Sequence, residues 1–235
     1  MKRKIVVAVD GYSSCGKSTI AKELARYAGY TYVDTGAMYR AVALYLNESG
    51  KLEEFKDWSD GEKSAFLSEY IHISFILTES GQHTCLNGED VESRIRTLET
   101  GNLASQVSAI GAVRRFLVAE QQLMGEEKGI VMDGRDIGTV VFPKAELKLF
   151  LTASAEVRAE RRYLELKEKG IEAVYADVLR DVEDRDYRDT HRAESPLKQA
   201  EDAVLIDNTD MTREEQMEKV TALFEERLTG IDNEY

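Results

Sequence analysis

Residues 11–18 read Gly-Tyr-Ser-Ser-Cys-Gly-Lys-Ser, an instance of G-x-x-x-x-G-K-[ST] set directly after the apolar β-branched run 5–9 and before a helical pattern over 17–28. That order commits the start of the chain to a strand, a tight turn and a helix. A glycine-rich turn can match such a pattern by chance, but here the context is met on both sides. The chemistry is anion binding: the glycines let the backbone curl until successive N–H groups converge, Lys17 adds a point charge for the outer phosphates, and Ser18 offers a hydroxyl to Mg2+. Gly11, Ser13, Ser14, Cys15, Gly16, Lys17, Ser18 and Thr19 are therefore candidates for binding a nucleoside triphosphate.

Further along, apolar β-rich runs alternate with helical patterns, the signature of a parallel sheet flanked by helices. Five runs are expected as core strands, at 5–9, 31–33, 129–132, 147–151 and 203–206. Helical periodicity is clearest over 17–28, 37–46, 112–125, 155–169, 172–190 and 212–228. The segment 50–100 interrupts the alternation: runs 71–77 and 82–86 flank Glu79-Ser80-Gly81 and predict an antiparallel hairpin, and Asn87-Gly88 predicts a second turn. The expectation is an α/β core of residues 1–49 and 101–235 with an inserted small domain at 50–100.

A chain of 235 residues is long enough for a full core. No run approaches the roughly 20 apolar residues that span a bilayer, and Met1-Lys2-Arg3-Lys4 feeds a strand too short for a signal peptide, so a cytoplasmic protein without membrane contact is expected. Cys15 and Cys85 are the only cysteines, which argues against a disulfide framework or a cysteine metal site. Cys15 reads as a small loop-filling residue, with a reactive thiol as the minority alternative. The net charge of −13 argues against non-specific binding to nucleic acid. Against that background, seven arginines fall between Arg158 and Arg192. Pairs with Glu156, Glu160, Glu165 and Asp181 explain some of them as a solvated helix face. They do not explain Arg185, Arg188 and Arg192, whose i, i+3, i+7 spacing predicts one face of planar forks suited to a phosphate-rich ligand.

Two further runs bear on a second phosphate. Asp34-Thr35-Gly36-Ala37-Met38-Tyr39-Arg40 follows the second strand and opens a helix, with Thr35 expected as its cap and Arg40 about one turn in. Asp133-Gly134-Arg135-Asp136 follows the run 129–132, at the carboxyl end where open α/β sheets place ligands.

Together, GYSSCGKS at 11–18, DTGAMYR at 34–40, NLASQVSAIGAVR at 102–114, DGRDIGTVVFP at 133–143 and RDYRDTHRAESPL at 185–197 resemble the bacterial cytidylate kinases, in order and over nearly the whole chain. The resemblance implies a P-loop nucleoside monophosphate kinase fold: a five-stranded parallel sheet flanked by helices, an inserted small α/β acceptor-binding domain, and a helical lid at about 155–171. It also implies transfer of a phosphoryl group from ATP to CMP or dCMP, with Mg2+ as cofactor. Arg40 and Arg135 would hold the acceptor phosphate. Ser105, Arg114 and Arg192 would face cytosine, Arg185 and Asp189 the ribose, and Thr35 and Tyr39 belong to the acceptor-binding run. Arg158, Arg161 and Arg162 would begin the lid, with Arg158 and Arg162 candidates for catalysis beside Lys17, Arg40 and Arg135. Thr35 stands where serine is also common, and Cys15 replaces another small residue.

The chemistry agrees. Two polyanions must be brought together and aligned, and a nucleotide phosphate is already a nucleophile at neutral pH, so arginines are needed and a catalytic histidine is not. Ser18 with Asp133 is the expected metal pair, with Asp10 as the alternative to Asp133. Asp136 is expected to accept from the cytosine amino group. A shikimate- or UMP-directed kinase is the nearest rival reading. A guanine-nucleotide switch would need an N-K-x-D run, which none of the asparagines provides. Closure of the insert and lid is expected, because water beside the reacting phosphorus would compete as acceptor. Nothing in the composition demands a dimer, so a monomer is expected.

Overall fold

The computed structural model describes residues 4–79 and 81–232, which leaves Met1, Lys2, Arg3, Ser80, Asn233, Glu234 and Tyr235 outside the described residues; the turn expected at Ser80 falls among these. The chain forms two compact units, Asp34–Leu123 and, around it in sequence, Met1–Val33 with Met124–Tyr235.

The first unit is built on a five-stranded parallel sheet of β1 (Val6–Gly11), β2 (Thr31–Asp34), β6 (Ile130–Gly134), β7 (Leu147–Thr152) and β8 (Val204–Asp207), in the order β2-β6-β1-β7-β8. The central strand β1 pairs in parallel with β6 on one side and β7 on the other, and is buried throughout. A strand covered on both faces has to be apolar on both, which is why 5–9 is a continuous apolar run rather than an alternating one. Alternation still sorts the faces. Ile5, Val7 and Val9 pack with Ile20, Leu24 and Ala25 of α1 (Lys17–Ala28) and with Val220 and Phe224 of α10 (Arg213–Asp232). Asp10 points the other way. α8 (Ala155–Glu168) and α9 (Tyr175–His191) form a hairpin with a small core of its own, Ala159, Leu166, Val178 and Val182.

The second unit runs through α2 (Thr35–Glu48), α3 (Leu52–Asp57), α4 (Asp60–Tyr70), the antiparallel strands β3 (Ile73–Thr78), β4 (Gly81–Leu86) and β5 (Glu89–Asp90), then α5 (Glu92–Ile95), α6 (Leu98–Val107) and α7 (Gly111–Met124). Its sheet confirms the expected hairpin, with Ile73 opposite Leu86 and Thr78 opposite Gly81. The second turn also forms: Asn87 and Gly88 both take positive φ (52° and 85°), as a two-residue turn between Leu86 and Glu89 requires. Phe55, Trp58, Phe66 and Tyr70 make a run of ring contacts at 4.9–5.9 Å that joins α3 to α4.

Three expectations are corrected. The helix expected at 37–46 begins at Thr35, because Asp34 and not Thr35 caps it: the Asp34 carboxylate accepts from Ala37 N at 2.9 Å. Strand β6 runs on through Asp133 and Gly134, so these residues end the strand rather than follow it. Arg188 is exposed whereas Arg185 and Arg192 are partly buried, and the backbone leaves the helix at Arg192; the three do not share one face.

Candidate active site

At the end of β1 the backbone turns on residues few side chains could replace. Gly11 has φ 144°, and a Cβ there would lie 2.0 Å from the Leu151 carbonyl oxygen. Ser14 (φ 58°) and Gly16 (φ 86°) also adopt left-handed conformations, and Gly16 caps α1 with no side chain over its first amides. The helix therefore presents bare N–H groups to an anion. Cys15 is fully buried in the core, its thiol 3.0 Å from the Tyr12 carbonyl, in keeping with a filling role. Thr19 is exposed in the first turn of α1, and Ser13 is half-buried.

Lys17 is 6% exposed and donates from Nζ to the Tyr12 carbonyl. Burial, followed by the charge of Arg135, brings its pKa down from 10.5 to about 8; Arg185 pushes the same way while Cys15 and Asp133 oppose. Both arginines thus disfavour the charge on the loop lysine. Ser18 Oγ donates to Asp133 Oδ2 at 2.9 Å, and Tyr32 donates to Asp133 Oδ1 at 2.7 Å. Asp10, the alternative metal partner, has both oxygens engaged by backbone amides, Ile137 N at 2.8 Å and Gly138 N at 2.7 Å. Of the two carboxylates, Asp133 is the one that contacts Ser18.

Arg158 is nearly buried against the loop. Its guanidinium lies 5.0 Å from the centre of the Tyr12 ring, donates to the carbonyls of Ala153 (2.9 Å) and Ser13 (3.4 Å), and pairs with Asp186 at 2.6 Å. Arg161 donates to the side chain and carbonyl of Asn208, and Arg162 pairs with Glu165 on the half-exposed side of α8.

A second cluster centres on Asp189. Arg135 Nε donates to it at 2.8 Å and Arg192 Nη1 lies 3.9 Å away. Burial works against the Asp189 carboxylate, but Arg135, Arg185 and Arg192 together hold its pKa below the usual range. Arg192 also lies 3.7 Å from Asp136, which is 5% exposed. The expected base, ribose and phosphate residues of this unit are thus one charged network.

In the second unit Asp34 gathers two arginines, Arg40 at 3.0 Å and Arg96 at 2.8 Å. Burial would raise its pKa, yet the two guanidinium charges hold it at about 2. Gly36 leaves the helix start open: a Cβ would lie 3.1 Å from Asp34 Oδ1 and 3.2 Å from an Arg40 nitrogen. Thr35 is buried beside this cap. Arg114, 2% exposed, stacks 5.5 Å from the centre of the Tyr39 ring and donates to the Ser108 carbonyl. Ser105 is half-buried on α6, its carbonyl accepting from Ser108 Oγ.

Four residues at these clusters escape a reading of the sequence: Tyr32, Arg96, Asp186 and Asn208. Only Asn208 carries a signal, its place just past the carboxyl end of β8. It is fully buried and donates from Nδ2 to the Cys15 carbonyl at 2.8 Å and to Gln216 Oε1 at 2.9 Å, tying the phosphate loop to α10.

A family model described as Cytidylate kinase matches residues 7–226. The chain is 58% identical to a cytidylate kinase of Parabacteroides distasonis, over 91% of this chain and 93% of that protein. It is 53% identical to those of Phocaeicola vulgatus (97% and 100%) and Bacteroides fragilis (96% and 99%).

Proposed function

The chain belongs to the cytidylate kinase family, and from that premise we propose that it transfers the γ-phosphoryl group of ATP to CMP or dCMP, giving ADP and CDP or dCDP. The observation that supports the reading is the phosphate loop with its buried Lys17 and its Ser18 bonded to Asp133 at the end of β6, where the next residues carry Arg135, itself bonded to Asp189. An acceptor phosphate beside a triphosphate needs several cations in one place and no strong base.

An oxygen of the CMP phosphate attacks the γ-phosphorus. A bond forms between them as the bond to the β–γ bridging oxygen breaks, and ADP departs with that electron pair. Lys17 and the bare amides of the loop hold the donor phosphates in line. Arg135 and Arg40 are assigned to the acceptor phosphate, Arg185 and Asp189 to the ribose, and Arg192, Asp136, Arg114 and Ser105 to the base. Thr35 and Tyr39 are assigned to acceptor binding through the α2 start and the stack beneath Arg114. Arg158 and Arg162 are assigned to the charge that spreads over the γ-phosphoryl oxygens in the transition state.

The Ser18 hydroxyl and Asp133 carboxylate, 2.9 Å apart, are hard oxygen donors of the kind that bind Mg2+ together with phosphates and water. When bound, the ion would neutralise charge on the β- and γ-phosphates. Among the described residues no helix is long and apolar enough to cross a membrane, and we read the enzyme as cytoplasmic.

The test is a coupled assay of ADP release across CMP, dCMP, UMP, AMP and shikimate. CMP and dCMP are expected to be the best acceptors. A higher kcat/KM on any of the others, or tight GTP binding without acceptor-dependent turnover, would overturn the reading.

A further inference from the structure

Asp10 spends a buried charge on holding a turn. It is 4% exposed on β1, and its two oxygens accept from the successive amides of Ile137 and Gly138 across 127 and 128 residues of sequence. Those amides open a single π-helical turn, Ile137–Val141, closed by Val141 N to Asp136 O at 3.2 Å and Phe142 N to Ile137 O at 2.6 Å. The first N–H groups of any helical turn lack partners within it, and a carboxylate, which only accepts, suits two of them at once. Burial pushes the Asp10 pKa up to about 6 although both amides pull it down, and the nearby Asp136 charge pushes it further up. An ionised side chain is a costly anchor for a turn, so its purpose lies in what the turn carries. The packing is close as well: a Cβ on Gly138 would lie 3.1 Å from Lys148 Cδ and 3.3 Å from Asp10 Oδ2.

Arg135 and Asp136 stand between two fixed points. On one side β6 is locked in register with β1, Val9 opposite Asp133 and Asp10 opposite Gly134; on the other the clasped amides begin at the next residue, Ile137. Asp136 has φ −143° and ψ 24°, so the peptide that leaves it is the one Asp10 grips. We propose that Asp10 is a positioning residue for base selection: by clasping the π-turn it aims the Asp136 carboxylate, and so favours CMP over UMP without touching either nucleotide. This rests on the reading that Asp136 meets the cytosine amino group.

The experiment measures kcat/KM for CMP and for UMP in Asp10→Asn, Asp136→Ala and the double variant, with KM for ATP as control. Asp10→Asn sets an amide donor against one of the two N–H groups, and the CMP/UMP ratio is expected to fall about tenfold with KM for ATP unchanged. The double variant is expected to be no less selective than Asp136→Ala alone, because both changes act through one contact. Gly138→Ala presses the amide away from the carboxylate without removing charge and is expected to lower the same ratio about threefold; it decides the matter should Asp10→Asn not fold. A purely structural Asp10 would lower activity on both acceptors together, and an unchanged ratio in the deciding variant overturns the proposal. An unchanged ratio in Asp136→Ala removes the underlying assignment, and the proposal falls with it by a distinguishable route.

Discussion

Lys17 keeps its charge against its surroundings. A lysine in water stays protonated to its ordinary 10.5, but here burial and Arg135 bring the value to about 8. The free protein therefore loses the ammonium as pH rises through that value, and with it the attraction for phosphates. Calorimetric titration should show ATP affinity level below pH 8 and weakening by up to about tenfold per unit above it; affinity that stays level well above this point would contradict the burial-driven shift. Lys17→Ala is expected to lower turnover by about 10²-fold or more with the melting temperature nearly unchanged, and turnover within a few-fold of the parent would remove the cradle argument. Lys17 and Ser18 were legible because a local spacing carries their chemistry; Arg135 was marked by its place at a strand's carboxyl end, and Asp189 by the family resemblance alone. Tyr32 and Arg96 were not legible, since the carboxylates they meet, Asp133 and Asp34, lie 101 and 62 residues away and no local pattern records that. Asp133 was legible as a strand-end acid, but its bond to Ser18 across 115 residues was not.

Among the elements, α2 shows how an acid can both cap and organise. The folded pKa of Asp34 is about 2 against an ordinary 3.8, so its stabilising contribution is present above 3.8 and is lost as pH falls toward 2. Asp10 has the opposite sign: its raised value makes folding more favourable as pH falls through about 6 toward 3.8. The comparison that isolates Asp34 is parent against Asp34→Asn, where asparagine keeps the cap and loses the charge. In urea melts across the acid range the variant should be less stable near neutrality and the gap should close toward pH 2; a constant gap would show that the arginines do not set the shift. Strand β1 offers a harsher test. Gly11→Ala would drive a methyl into the Leu151 carbonyl, and a loss of about 3 kcal/mol or more is expected by denaturant titration. The long helices and core strands were readable from period and β-branching. The short α3, α4, α5 and α6 were not, because four to eleven residues give too little periodicity, and the π-turn has no sequence signal at all.

For the whole molecule the reading implies linkage between stability and ligand. Mg2+ with ATP at a hundred times its dissociation constant should add about 2.7 kcal/mol and raise the melting temperature, and Asp133→Asn should shrink the Mg2+-dependent part of that rise. With a net charge of −13 the copies repel, so light scattering should give the single-chain mass of 26.5 kDa. The parallel sheet was legible because its strands are apolar on both faces and separated by helices. The extent of the second unit was not: it begins at Asp34 and ends at Leu123, where α2 and α7 carry ordinary amphipathic patterns with no compositional break. Asn208 gives the molecule a point of chemical ageing. Hydrolytic loss of ammonia from that one side chain would replace its NH2 with an oxygen, turning a donor to Cys15 and Gln216 into a repelling acceptor. The nucleotide loop would lose its tie to α10 with every other atom in place, and the complete burial of this amide keeps water from that bond.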